Sequence, residues 1–133
     1  MDLHLERPGE YPYVHHIEED AIAVVHGEQA HRLRRSFIIT ADAIIDDWPA
    51  TSANTLRAED MAPILALQPD VVLLGTGKKQ VFPAAEVMAA CLGRGIGIEP
   101  MDNAAAARTH TILTGEDRHV VAAFILPPDN PTR

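Results

Sequence analysis

Asp70-Val71-Val72-Leu73-Leu74-Gly75-Thr76-Gly77-Lys78-Lys79-Gln80 is the stretch on which the fold turns. Val71–Leu74 is a continuous apolar run, the signature of a strand covered on both faces. Two glycines and two lysines then form a loop. Pro83 suits the first turn of a helix, and Gly93 or Gly95 suits its end. Ile96-Gly97-Ile98-Glu99 reads as the next strand. Strand, crossover helix and strand make a unit that is parallel and right-handed.

The pattern repeats once toward the C-terminus. Asp102 can cap a helix running through Asn103, Ala104–Ala107 and on to Leu113, with Gly115 at its end. His119–Leu126 reads as a final buried strand. Upstream, Arg57–Leu67 reads as a helix, with Glu59 and Asp60 in its first turn and Met61, Ile64, Leu65 and Gln68 at helical spacing. Pro63 fits only in a first turn, which moves the start toward Asp60. Ala21–Val25 and Ala30–Arg34 form a hairpin about Gly27, which can take positive φ, and Ser36–Thr40 is another short strand. Residues 1–17, carrying Pro8, Gly9 and Pro12, read as an N-terminal arm; residues 127–133, with three prolines, read as a tail. The domain lies between, at 18–126. The fold class is α/β: a mixed central sheet with a parallel centre, helices packed on it and an N-terminal β-hairpin.

The chain has 133 residues, a length that suits one domain and can bury a core without disulfide or metal. Its net charge of −8 repels a phosphate backbone, which argues against nucleic acid and anionic membranes as partners. Cys91 has no second cysteine to pair with and sits in an apolar helical stretch, so it reads as a small buried hydrophobe in a reducing compartment. No apolar run reaches the ~18 residues that span a bilayer, and the first residues lack the apolar segment of a signal peptide. The expected location is the cytoplasm.

In an open α/β sheet, ligands gather beyond the carboxyl ends of parallel strands. There the first strand delivers Gly75, Thr76, Gly77, Lys78 and Lys79, and the second delivers Asp102 and Asn103. The glycines allow close backbone approach, the lysines supply charge, and helix N-termini offer unpaired N–H groups, so an anion is the expected ligand class. Arg108 can add a fork of donors. The loop lacks the Walker spacing, and the competing reading is a glycine turn with two solvated lysines. His15 with Glu18 has i, i+3 spacing, but the flanking prolines argue for a loop, so no metal site is expected. His110 weighs as a general base against a histidine packed in a helix interface, and the second reading is preferred. No serine-hydrolase elbow and no paired zinc histidines occur in the sequence, and no cofactor is expected.

Pro69–Gly77 followed by Gln80-Val81-Phe82-Pro83 resembles the Mth938-like family. Gly93–Glu99, Met101-Asp102, Ala106-Ala107-Arg108-Thr109 and the apolar strand after Arg118 continue the likeness over residues 18–126. The resemblance implies a three-layer α/β fold. It also implies a relation to a mitochondrial complex I assembly factor and to an animal homologue linked to adipogenesis. It brings no catalytic residues, and it favours Gly75, Thr76, Gly77, Lys78, Asp102, Arg108 and Thr109 as the positions of interest. Where family members often carry Tyr-Asn after Arg-Thr, this chain has His110-Thr111. Two functions follow as expectations. One is a non-catalytic binding or assembly module with a protein partner, linked to respiratory complexes. The other is a small anionic ligand or enzymatic site at Gly75–Lys79, with Asp102, Asn103, Arg108, Thr109 and His110 beside it.

Overall fold

The computed structural model describes residues 11–116 and 118–128. Val71–Gly75 forms a strand, labelled β6 below, and pairs in parallel with both Gly97–Met101 (β7) and Val120–Phe124 (β8). Phe37–Ile39 (β4) runs antiparallel to β8, and the two-residue Ile44–Ile45 (β5) runs antiparallel to β4. The order is β5-β4-β8-β6-β7, a mixed sheet with a parallel centre, as expected.

Alternation within these strands builds two cores. Ile38, Val72, Leu74, Val121 and Ala123 face one way and pack with Trp48, Met61, Ile64, Val87 and Cys91. Phe37, Ile39, Val71, Leu73, Val120, Ala122 and Phe124 face the other way and pack with Ile22, Val24 and Ala106. Burial on both faces is why these strands read as uninterrupted apolar runs. Phe37 and Phe124 stack across the β4–β8 pair with ring centroids 5.1 Å apart.

The first core is covered by Ala62–Leu65 (α1) and Ala85–Leu92 (α2). Val87 and Cys91, one turn apart, are the buried face of α2. The expected helix over 57–67 is broken in two: a 3-10 turn at Ala58–Met61 precedes the short α1. Pro63 has no N–H and lies in the first turn of α1, so one continuous helix cannot pass through it. Gln68, expected on the helical face, instead takes φ +53 beyond the helix end.

The second core is covered by Asn103–Thr114 (α3) and by a separate three-stranded sheet of Tyr13–Ile17 (β1), Ile22–His26 (β2) and Gln29–Leu33 (β3). The result is three layers. Gly27, at φ +66, makes the two-residue turn of the expected hairpin. β1 corrects the arm boundary: residues 13–17 belong to the sheet, paired antiparallel with β2. Residues 1–10 of the expected arm and 129–133 of the expected tail lie outside the described residues; Pro127 and Pro128 carry no regular structure. β7 runs past Glu99 through Pro100. It lies at the sheet edge, where a residue without an N–H is tolerated.

Candidate functional site: a cleft at the carboxyl rim of the sheet

Because β6 and β7 are adjacent and parallel, their carboxyl ends bring the Gly75–Gln80 loop against the start of α3. Asn103 ties the two together. Its backbone N–H donates to the Gly77 carbonyl at 2.8 Å, and its Oδ1 accepts from the Gly77 N–H at 3.2 Å. Its Nδ2 donates to the Ile125 carbonyl at 3.1 Å. Asn103 is thereby a buried staple between loop, helix and the residue after β8.

Thr76 holds the loop from inside. Its hydroxyl donates toward the carbonyls of Lys79 at 2.6 Å and Met101 at 3.2 Å, and accepts from the Val81 N–H at 3.1 Å. Gly77 sits at φ +106, which a side chain would strain. Gly75 is needed for closeness: a Cβ there would lie 2.3 Å from Asn103 Oδ1. Thr76→Val is expected to cost roughly 1–3 kcal/mol, because it leaves the Val81 N–H unpartnered in a half-buried place. Urea unfolding is the check.

The N-terminus of α3 is largely engaged. Asp102 caps it, accepting from the Ala105 N–H at 2.8 Å through its side chain and from the Ala106 N–H at 2.9 Å through its carbonyl. With the Asn103 N–H bonded to Gly77, that of Ala104 is the one leading group without a partner among the described residues. The helix end therefore does not offer the open anion cradle expected from the sequence.

The cleft beside this rim has a volume of about 710 Å³. Ile125 and Leu126 form a buried floor, with Ile17, Val81, Ala104 and Pro127 around it. Lys78 and Lys79 stand at the mouth, but so do Glu18, Glu19 and Asp20 from the β1–β2 turn. Lys78 Nζ meets Glu19 Oε2 at 2.5 Å, Arg32 Nη2 meets Glu18 Oε1 at 2.7 Å, and Arg34 Nη1 meets Asp20 Oδ2 at 3.4 Å. Lys79 alone at the mouth has no ion-pair partner among the described residues. The loop thus contributes much less net positive charge than its two lysines suggest.

Arg108, Thr109 and His110 are not brought to this cleft. Arg108 is exposed beside Val14, His15 and His16 in a separate shallow concavity, and Thr109 is half-buried. His110 is 2% exposed, on the buried face of α3, with no hydrogen bond to Nδ1 among the described residues. Burial pulls its pKa down to about 4. His110 is thus enclosed within the domain and does not line the cleft. Cys91 is likewise buried, and desolvation raises its thiol pKa. Among the described residues no cluster of three or more metal-binding side chains occurs. No described helix is long and apolar enough to cross a membrane.

The sequence reading missed the hairpin's contribution, Ile17 through Asp20, and the floor residues Ile125 and Leu126. The floor had a signal: it follows directly on the carboxyl end of a strand parallel to β6. Nothing in the sequence alone placed the β1–β2 turn opposite the glycine loop.

A family profile described as a protein of unknown function (DUF498/DUF598) matches residues 14–125. The chain belongs to that family. Its fold is that of a Bordetella pertussis solution structure described as an Mth938-like domain, with a TM-score of 0.77 over 98% of this chain and 96% of that one, at 24% identity. The DUF498 chain is 40% identical to a Xanthomonas campestris protein solved by NMR, covering 100% and 99% of the two chains with a TM-score of 0.78. It is 34% identical over 83 residues to the Danio rerio NADH dehydrogenase [ubiquinone] 1 alpha subcomplex assembly factor 3, covering 61% of this chain and 48% of that protein. It is also 34% identical over 72 residues to a Francisella tularensis protein named 13 kDa major membrane protein, covering 54% and 58%. The chain thus spans about half the length of the curated relatives it matches.

Proposed function

We propose that this DUF498 chain is a non-catalytic binding module of the assembly type, and that the rim cleft receives an apolar segment of a protein partner. One observation carries the reading. The side chains that would polarise a substrate, Thr76, Asn103 and Asp102, are engaged in bonds that shape the rim, and what faces the cleft is an apolar floor. Phe82, next to the cleft-lining Val81, is 67% exposed and extends the apolar surface outward. Exposed aromatics beside a concave apolar surface are the usual anchors of protein interfaces. The name of the Danio rerio relative supports a partner among NADH dehydrogenase subunits or their assembly intermediates.

The test is site-specific photo-crosslinking in the native host, with the photoreactive residue at Phe82 and, for comparison, at Glu116. A discrete protein adduct at Phe82 alone, containing a respiratory subunit, is the expected result. No adduct at Phe82, together with no partner on co-purification, refutes the reading.

A second reading has one observation in its favour: the cleft volume lies within the ~300–1,000 Å³ of small-molecule sites, and Lys79 at its mouth has no described ion-pair partner. A thermal-shift screen with phosphates, nucleotides and carboxylates tests it. A ligand that raises the melting temperature of the wild type but not of Lys79→Ala favours a small anion; no hit at millimolar ligand removes that reading.

A further inference from the structure

The described residues form two sheets and therefore four edges. On the large sheet, β5 is only two residues long and β7 carries Pro100. Short strands and prolines are standard defences of an edge. On the small sheet, β1 is interrupted by a bulge between Val14 and His16 and packs against α3. β3 has none of these. Gln29–Leu33 is five residues long, contains no proline or bulge, and has no neighbour on its outer side among the described residues. Gln29, Ala30, His31 and Arg32 are all exposed.

A charged side chain can also guard an edge, and Arg32 is the one such residue on β3. It does not project freely. Its Nε and Nη2 both donate to Glu18 Oε1, at 3.1 and 2.7 Å, which fastens the guanidinium to its own sheet and cancels its charge. No other lysine, arginine or carboxylate lies on β3.

The hydrogen-bonding groups on that edge follow from the turn. A two-residue turn makes His26 and Gln29 a hydrogen-bonded pair, and bonded pairs then alternate along the ladder at Val24–His31 and Ile22–Leu33. Ala30 and Arg32 lie between them, so their N–H and C=O groups point away from β2. Two residues of this kind, one apart, are self-complementary under a two-fold axis. Ala30 of one copy bonds Arg32 of the other, and the reverse, with His31 facing His31 at the centre. All four outward N–H groups are then satisfied, and the small Ala30 leaves room for the Arg32 stem.

We propose that β3 is a dimerisation edge, through which two copies of this chain pair antiparallel about an axis at His31, merging two small sheets into one of six strands. This surface is independent of the rim cleft. Analytical ultracentrifugation at high micromolar protein is expected to give twice the 14.5 kDa of one chain. Ala30→Pro removes an outward N–H and leaves the bonds to β2 in place, so it is expected to give a folded monomer; Ala30→Lys, which places a charge on the edge, is the second variant should proline unfold the hairpin. His31→Cys, oxidised with diamide, is expected to give a disulfide-linked dimer on a non-reducing gel, while wild type, whose only cysteine is the buried Cys91, and Arg108→Cys are not. A wild type that sediments as a single chain overturns the proposal. So does a folded Ala30 variant that remains dimeric, or His31→Cys that links no better than Arg108→Cys.

Discussion

Replacing Gly75 with alanine is expected to lower the unfolding free energy by about 3 kcal/mol or more. The added methyl would lie 2.3 Å from Asn103 Oδ1, 3.2 Å from a Phe124 ring carbon and 3.3 Å from the Ala123 carbonyl. Overpacking of a closed site costs roughly 1–3 kcal/mol by itself. Here the atom that must yield is no loose side-chain end. Asn103 is 6% exposed and bonded to Gly77 on one side and Ile125 on the other, so moving it breaks buried hydrogen bonds at a further ~1–3 kcal/mol. For a chain of this length the melting temperature falls by about 4 °C per kcal/mol, or some 12 °C in all. Fluorescence of the single tryptophan, Trp48, buried in the first core, reports the transition. Asn103→Ala alone is expected to be about as damaging, since it orphans the Ile125 carbonyl. The double variant is expected to be clearly less destabilised than the sum, because alanine at 103 removes the atom that the new methyl strikes. Additive losses would show that the two residues do not share this contact.

His110→Leu is expected to make the protein less sensitive to acid. The native fold holds His110 neutral, with a pKa of about 4 against 6.5 in the open chain, because charging it on the buried face of α3 means desolvating an imidazolium. A histidine whose folded pKa is depressed binds more protons when unfolded. Its contribution to stability is therefore intact above pH 6.5 and is lost as pH falls from 6.5 toward 4. That loss amounts to about 3 kcal/mol at the acid end. Carboxylates titrate in the same range, so the diagnostic quantity is the difference between wild type and His110→Leu. It is expected to shift by about 3 kcal/mol in favour of leucine between pH 7 and pH 4, in denaturant melts at each pH. Leucine also removes the unbonded Nδ1, so its advantage does not vanish at neutral pH. Parallel pH curves for the two proteins would contradict the desolvated histidine.

The central strands and α3 were legible because their residues serve only one end. Val71–Leu74 is apolar because both its faces are covered, and Asp102 reads as a cap because it is one. Tyr13–Ile17 was missed because a strand with its two histidines exposed carries little apolar alternation and follows a proline. Over 57–67 the first-turn place read for Pro63 is where the structure has it, and only the 3-10 turn before it and the brevity of α1 escaped the periodicity of Met61, Ile64 and Leu65. At the rim, the meeting of Gly75–Lys79 with Asp102 and Asn103 followed from parallel topology alone. The direction of Arg108 was available and overlooked. It lies five residues after Asn103, about 140° around the helix, whereas His110 at seven residues returns to within about 20° of the buried face. What no pattern contained was where the polar atoms go. The engagement of Thr76 and Asn103 in internal bonds, and the pairing of Lys78 with Glu19 from a turn 59 residues away, depend on tertiary distances.

The order β5-β4-β8-β6-β7 places β8, the last described strand in chain order, between two groups made earlier. Until Val120–Phe124 emerges, the β4–β5 pair and the β6–β7 pair share no hydrogen bonds, and Phe37 lacks the ring it stacks on. The sheet therefore cannot close until β8 is available. A transcript cut short before codon 120 would yield two unjoined halves with exposed apolar strands, a product for proteases and chaperones to clear.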